Sequence, residues 1–243
     1  CTIHGLGLNG FNFRKKTILN TGNSGTLARL IMGLLIHSKN EIKIIGDASL
    51  SKRDFKRVIK PLQKFGAKFK SNFGKLPVTI FGTDKPKPIR YLENKGSAQC
   101  KSAVMLASIN TRGETIIKAK KSRNHSELLF KHLNIPIKIR KNKRYDIIKI
   151  NGGTKIKPFN YKIPSDISSA SFFIVLTALS KKSELVIKNV NVNPSRIGII
   201  KILKLMGIKI VLKKIKIYKG EKVADIHVKS AKKIKSINCP SNL

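Results

Sequence analysis

The chain has 243 residues, 41% of them apolar, and carries 51 Lys plus Arg against 12 Asp plus Glu, a net charge of +39. That apolar content fills one large or two modest cores, but no apolar run is long enough to span a membrane, and nothing near the N-terminus reads as a signal peptide. The three cysteines, Cys1, Cys100 and Cys239, are widely spaced, which argues against a disulfide framework and fits a reducing cytoplasm; neither they nor the five histidines stand at metal-ligand spacing. Two partners suit the charge: nucleic acid, held through phosphate contacts, or small anionic substrates. The lysines are spread over the whole chain, including alternating segments such as "EIKII" and "IVLKKIKIYK", no dense basic tail appears, and the chain has only 11 Phe, 4 Tyr and no Trp to stack on bases, which weakens the first. The chain opens on Cys1 and stops at "INCPSNL", so a piece of a longer protein is expected.

In chain order, "GNSGTLARLIMGLLI" reads as a small-residue helix start running into an apolar body. A strand, "EIKII", opens at Glu41; Arg53 follows in a turn. Next comes an amphipathic helix, "FKRVIKPLQKFGAKF", with Val58, Leu62 and Phe65 at helical spacing, and then a strand, "LPVTIFG". The order recurs: "GSAQCKSAVMLASI", "ETIIK" from Glu114, Arg123, "SELLFKHLNIPIKI" and "YDIIKING". It recurs again after the Lys/Pro-bearing stretch "NGGTKIKPFNYKIPSD": "SDISSASFFIVLTAL", "ELVIK" from Glu184, Arg196, "GIIKILKLMGIKI" and "VADIHVKS". The three glutamates stand 73 and 70 residues apart, and each amphipathic helix leaves through Gly66, Asn134 or Gly207, residues suited to a helix C-terminus. The unit is therefore strand, helix, strand, helix and two strands, and the class is α/β. The linker between the second and third copies is the expected domain boundary.

The helix starts are candidate anion sites, because unpaired N–H groups and a partial positive charge gather there and small residues let an anion approach. The first copy places Asn23, Ser24, Gly25 and Thr26 at that point, and the second Gly96, Ser97, Ala98 and Gln99. Plain capping is the competing reading, and it is preferred for the third copy, where Asp166 would repel an anion. Arg53 and Arg123, at equivalent places in the repeat, could clamp a carboxylate or phosphate in a shared cleft.

The motifs "GNSGTLARL", "GDASLSKRDFKRVIKPLQKFGAKF", "SAQCKSAVMLA", "SRNHSE", "SDISSASFF" and "NVNVNPSRIGIIKILKLMG", in this order over nearly the whole chain, resemble those of the 3-phosphoshikimate 1-carboxyvinyltransferases, the EPSP synthases. The resemblance implies a two-domain inside-out α/β barrel of repeated βαβαββ units with its active site between the domains. Residues 1–160 would be most of the first domain, the end of one unit plus two further units. Residues 161–243 would start the second with one unit, leaving the fold incomplete at both ends. The implied enzyme is a transferase of the shikimate pathway, on the route to chorismate and aromatic amino acids. It passes the enolpyruvyl group of phosphoenolpyruvate to the 5-hydroxyl of shikimate 3-phosphate and releases phosphate. The substrates are its expected partners; no metal, organic cofactor, nucleic acid or membrane is implied, and a cytoplasmic monomer is expected at full length.

Carried over to this sequence, the resemblance makes Gly25, Arg53 and Gln99 phosphoenolpyruvate contacts. Ser97, Ala98, Gln99, Ser122 and Arg123 become shikimate 3-phosphate contacts. Asn23, Thr26 and Arg29 are assigned to structural support. Family members often carry a second serine where this chain has Ala98, so the backbone would have to serve there. The family's "DKS" lysine segment belongs upstream of Cys1, and its catalytic aspartate and lysine–glutamate pair belong downstream of Leu243. No catalytic residue is therefore expected within these residues, and the chain alone is expected to bind but not turn over. The alternatives are the sister enzyme UDP-N-acetylglucosamine 1-carboxyvinyltransferase, whose reactive cysteine Cys100 does not suit from inside a predicted helix, and a basic RNA-binding protein.

Overall fold

The computed structural model describes residues 1–8, 10, 11, 13 and 15–239. The first copy of the repeat runs β1 (Thr17–Asn20), α1 (Gly25–Leu35), β2 (Ile42–Ile45), α2 (Ala48–Ser51), α3 (Lys56–Gln63), β3 (Lys68–Asn72) and β4 (Lys75–Phe81). Its sheet has the order β1-β2-β4-β3; β1 and β2 are parallel and joined through α1, and the other pairs are antiparallel. The second copy comprises β5 (Arg90–Glu93), α4 (Ala98–Ile109), β6 (Gly113–Lys120), α5 (His125–His132), β7 (Ile137–Lys141) and β8 (Tyr145–Gly152). It repeats the pattern as β5-β6-β8-β7, with one parallel pair and two antiparallel ones.

The third copy, α6 (Ile167–Leu179), β9 (Glu184–Asn191), α7 (Gly198–Leu205), β10 (Ile210–Tyr218) and β11 (Glu221–Lys229), keeps the order β10-β11-β9. Its opening strand is reduced to one parallel bridge, Ser165 to Val190. Pro164, just before the bridge, has no N–H to donate and so cannot extend the ladder. Gly66, Asn134 and Gly207 all take positive φ (109°, 54° and 90°) just past α3, α5 and α7, as left-handed helix ends require.

Close contacts divide the chain into two units. Residues 1–122 and 130–158 form the first, and residues 123–129 with 159–243 the second. In the first unit the predicted apolar stripe of α3 is fully buried at Val58 and Leu62, with Phe65 just beyond its end. Lysines on the strands alternate outward, as in the buried–exposed–buried order of Ile42, Lys43 and Ile44. α1 and α4 pack against each other so closely that a Cβ on Gly33 would lie 2.2 Å from the Ala103 carbonyl oxygen. In the second unit, α6 and α7 bury Ile174, Ala178, Ile200 and Leu203 with Val190, Ile226 and Val228 of the sheet.

Candidate anion-binding site at two helix starts

The start of α1 is built from its own loop. Thr21 donates its N–H and its hydroxyl to the Ile45 carbonyl, each at 2.9 Å, and Ser24 N–H returns to Thr21 O. Ser24 caps the helix, its Oγ accepting from Leu27 N–H at 3.1 Å. The next loop is tied to this one: Asp47 N–H donates to Gly22 O at 2.9 Å, and Asn23 Nδ2 donates to Asp47 Oδ2. Asp47 also caps α2 by accepting from Leu50 N–H at 2.7 Å. That hydrogen bond, aided by the one from Asn23, holds the Asp47 carboxyl below its ordinary value. Expected as a simple turn, the segment before Arg53 contains this helical turn, and Arg53 N–H closes it on Leu50 O at 3.0 Å.

Arg29 and Arg53 meet over Gly25. From the point a Gly25 Cβ would occupy, Arg29 Nη1 is 2.8 Å away, Arg53 Nη1 3.1 Å and Leu50 Cδ1 3.4 Å. Gly25 is buried, Arg29 half-buried and Arg53 exposed. Burial is the main effect lowering the Arg29 pKa, and the charge of Arg53 adds to it. Among the described residues Arg53 takes part in no ion pair. Arg29 lies over the Phe55 ring, 5.0 Å from its centroid, and its Nη1 donates to Gly25 O at 3.2 Å and to Gln99 Oε1 at 3.0 Å. Gln99 Nε2 in turn donates to Thr26 Oγ1 at 2.7 Å. Gly25, Thr26, Arg29, Arg53 and Gln99, scattered through the sequence, thus meet in one place. No pattern in the sequence signals that Arg29 and Thr26 grip Gln99, since the pairs are 70 and 73 residues apart.

At the start of α4, Ser97 is the cap, its Oγ accepting from Cys100 N–H at 3.3 Å. Gly96 has φ +70°, and a Cβ there would come within 3.4 Å of Lys121 O, so the end of β6 runs close past the helix start. The neighbouring Ser122 Oγ is buried without a hydrogen-bond partner, an arrangement that an oxygen-rich ligand would satisfy. Ala98 and Gln99, the first two residues of α4, are half-buried. Arg123 belongs to the second unit.

The third copy, within the second unit, carries its own anion. Asp166 caps α6 through Ser169 N–H, and Arg196, equivalent to Arg53 in the repeat, donates through Nη2 to Asp166 Oδ1 at 3.1 Å and to Ser168 Oγ at 2.5 Å. Capping therefore explains Ser24, Ser97 and Asp166, and in the third copy the repeat's arginine meets a carboxylate at a helix start. In the first copy no acidic residue stands at the equivalent place.

A cavity of about 220 Å³ elsewhere in the first unit, lined by Leu8, Phe11, His37, Thr83, Asp84 and Pro86, contains none of these residues. Among the described residues no three His, Cys, Asp or Glu side chains converge as metal ligands, and no helix is long and apolar enough to cross a membrane.

The family model of EPSP synthase (3-phosphoshikimate 1-carboxyvinyltransferase) matches residues 1–241. A 3-phosphoshikimate 1-carboxyvinyltransferase of Ruthia magnifica is 44% identical over 243 residues, covering 100% of this chain and 54% of its own length. One from Vesicomyosocius okutanii is 43% identical over 99% of this chain and 54% of its own. The structure of EPSP synthase from Acinetobacter baumannii superposes with a TM-score of 0.80 at 37% identity, covering 93% of this chain and 51% of that one. The chain thus spans about half the length of the curated relatives it matches.

Proposed function

This chain belongs to the EPSP synthase family, and from that premise we propose that the two helix starts are substrate sites of a 3-phosphoshikimate 1-carboxyvinyltransferase. The observation that carries the reading is the convergence of Arg29 and Arg53 over Gly25. Two guanidinium groups and a helix N-terminus face one small space; Asp47 and Asp54 act on these arginines electrostatically, but among the described residues neither arginine is in an ion pair. That is what a phosphate or carboxylate requires. In this reading phosphoenolpyruvate occupies the Gly25, Arg53 and Gln99 side, and shikimate 3-phosphate meets Ser97, Ala98, Gln99 and Ser122. The buried, unpartnered Ser122 hydroxyl supports the second assignment. Arg123 is proposed as a further shikimate 3-phosphate contact on the family resemblance alone.

In the full-length protein the reaction would join the enolpyruvyl carbon of phosphoenolpyruvate to the 5-hydroxyl oxygen and expel phosphate. Both substrates and the leaving group are anions, so preorganised cations and N–H donors stabilise charge throughout. The acid–base residues that the resemblance calls for are not among those of this chain, so binding is the role proposed for these residues. The buried position of Cys100 (3% exposed) favours this reading over the sister enzyme with a reactive cysteine.

The test is phosphate release by the full-length gene product given both substrates; its absence would overturn the assignment. The 243-residue chain by itself is expected to release no more than a protein-free control. In the full-length protein, Arg123→Ala should raise the shikimate 3-phosphate Kd about tenfold, since a hydrogen bond to a charged group contributes roughly 1.5–3 kcal/mol. An unchanged Kd by calorimetry removes Arg123 from the site.

A further inference from the structure

We propose that Arg29 is a positioning residue that fixes which face of the Gln99 amide a bound anion meets. The inference rests on the reading that Gln99 touches both substrates, and deepens it. A glutamine amide can point either way, and the choice is made by its neighbours. Here the neighbour is an arginine, which stays protonated and has no acceptor. Arg29 Nη1 donates to Gln99 Oε1 at 3.0 Å, so a flipped amide would set NH₂ against the guanidinium, donor against donor.

Arg29 is itself held, by the Gly25 carbonyl at 3.2 Å and the Phe55 ring 5.0 Å from its charged carbon. With Oε1 fixed, Nε2 is turned to Thr26 Oγ1 at 2.7 Å. That contact uses one of the two Nε2 hydrogens and one lone pair of the hydroxyl. The second Nε2 hydrogen and the Thr26 hydroxyl proton are left to donate. Both suit an anion, which only accepts, and neither would be presented by the flipped amide. The residues come from two helices, Thr26 and Arg29 from α1 and Gln99 from α4, so the tight packing of those helices sets the polarity of the site.

A double-mutant cycle in the full-length protein tests this. Arg29→Met should raise the Kd for phosphoenolpyruvate and for shikimate 3-phosphate about tenfold each, while the same change in a Gln99→Ala background should cost several-fold less, because only the loss of the Arg29 charge then remains. Arg29→Lys, which keeps a charged donor near Oε1, should recover most of the loss. The Gln99 side-chain NH₂ resonances should shift, and their hydrogen exchange with water should quicken, in Arg29→Met, because the Nε2–Thr26 hydrogen bond is no longer enforced. A structural or purely electrostatic role predicts the same cost with and without Gln99, and that result overturns the proposal, as do unchanged affinities and unchanged amide lines in Arg29→Met. If the parent binds neither ligand but Arg29→Met still shifts the amide lines and quickens their exchange, the substrate assignment falls and the positioning role stands.

Discussion

At Gly25 the backbone is ordinary helix, since this glycine is not among those of positive φ. A methyl group there costs the backbone nothing, and alanine favours a helix by up to about 1 kcal/mol over glycine. What the methyl meets is the Nη1 atoms of Arg29 and Arg53, at 2.8 and 3.1 Å. Both are ends of flexible side chains, so they can swing aside and the fold survives, but the cations leave the place where the anion is proposed to sit. Gly25→Ala in the full-length protein is therefore expected to raise the phosphoenolpyruvate KM about tenfold or more, on the scale of overpacking costs. The KM for shikimate 3-phosphate should rise less, and Tm should hold or increase. A phosphoenolpyruvate KM that stays fixed while Tm falls would make Gly25 a structural glycine.

Between elements, the same substitution has the opposite outcome. A Cβ on Gly33 would stand 2.2 Å from Ala103 O and 3.2 Å from Ala103 Cα, and the backbone of α4 cannot swing aside. Gly33→Ala should push α1 and α4 apart and destabilise by about 1–3 kcal/mol, read from the denaturant midpoint; an unchanged midpoint would refute the tight contact. In the second unit, residues 124 and 125 are tied to β9 and β11 by a polar cluster. His125 Nδ1 pairs with Glu221 Oε1 at 2.6 Å, Asn191 and Asn193 donate to Glu221 Oε2, and Asn193 also donates to Asn124. Burial pushes the Glu221 pKa up, but the hydrogen bonds from His125, Asn191 and Asn193 outweigh it and the net shift is downward from 4.5. A folded pKa below the unfolded one gives stability that is fully present above the unfolded value and lost as pH falls through the folded value. The wild-type advantage over Glu221→Gln should accordingly be full at neutral pH and shrink below pH 4.5. A difference independent of pH in acid unfolding would show that the carboxylate charge does not contribute.

Over the whole molecule the dominant quantity is the net charge of +39. Lysines stand outward on every sheet, among them Lys43, Lys68, Lys138 and Lys213. Ion pairs such as Lys149–Glu114 and Lys229–Glu184 are exposed and contribute little. Repulsion among the remaining charges opposes the folded state. Salt screens it, with a Debye length of about 10 Å at 0.1 M. Tm should therefore rise as sodium chloride goes from roughly 20 to 200 mM, and a flat or falling Tm would show that the lysines are too far apart to repel. The same charge keeps an RNA-binding reading testable: steeply salt-dependent RNA binding with no response to shikimate 3-phosphate would replace the enzyme reading.

The repeat, the α/β class, the buried stripe of α3, the cap Asp166, and the helix ends at Gly66, Asn134 and Gly207 were all legible in the sequence, whereas at Ser24 and Ser97 capping is the competing reading to an anion cradle. Each is set by neighbours within a turn or two, so spacing and residue type suffice. The family was legible too, because six motifs keep their order. The grip of Arg29 and Thr26 on Gln99 was not, since those pairs are 70 and 73 residues apart. Nor were the closeness of Gly33 to Ala103, the orphaned Ser122 hydroxyl, the loss of the third opening strand, or the grouping of residues 123–129 with the second unit. Those depend on how far apart two helix axes pack and where a strand passes a helix start. Both are set by summed packing over a whole core, which no local pattern encodes.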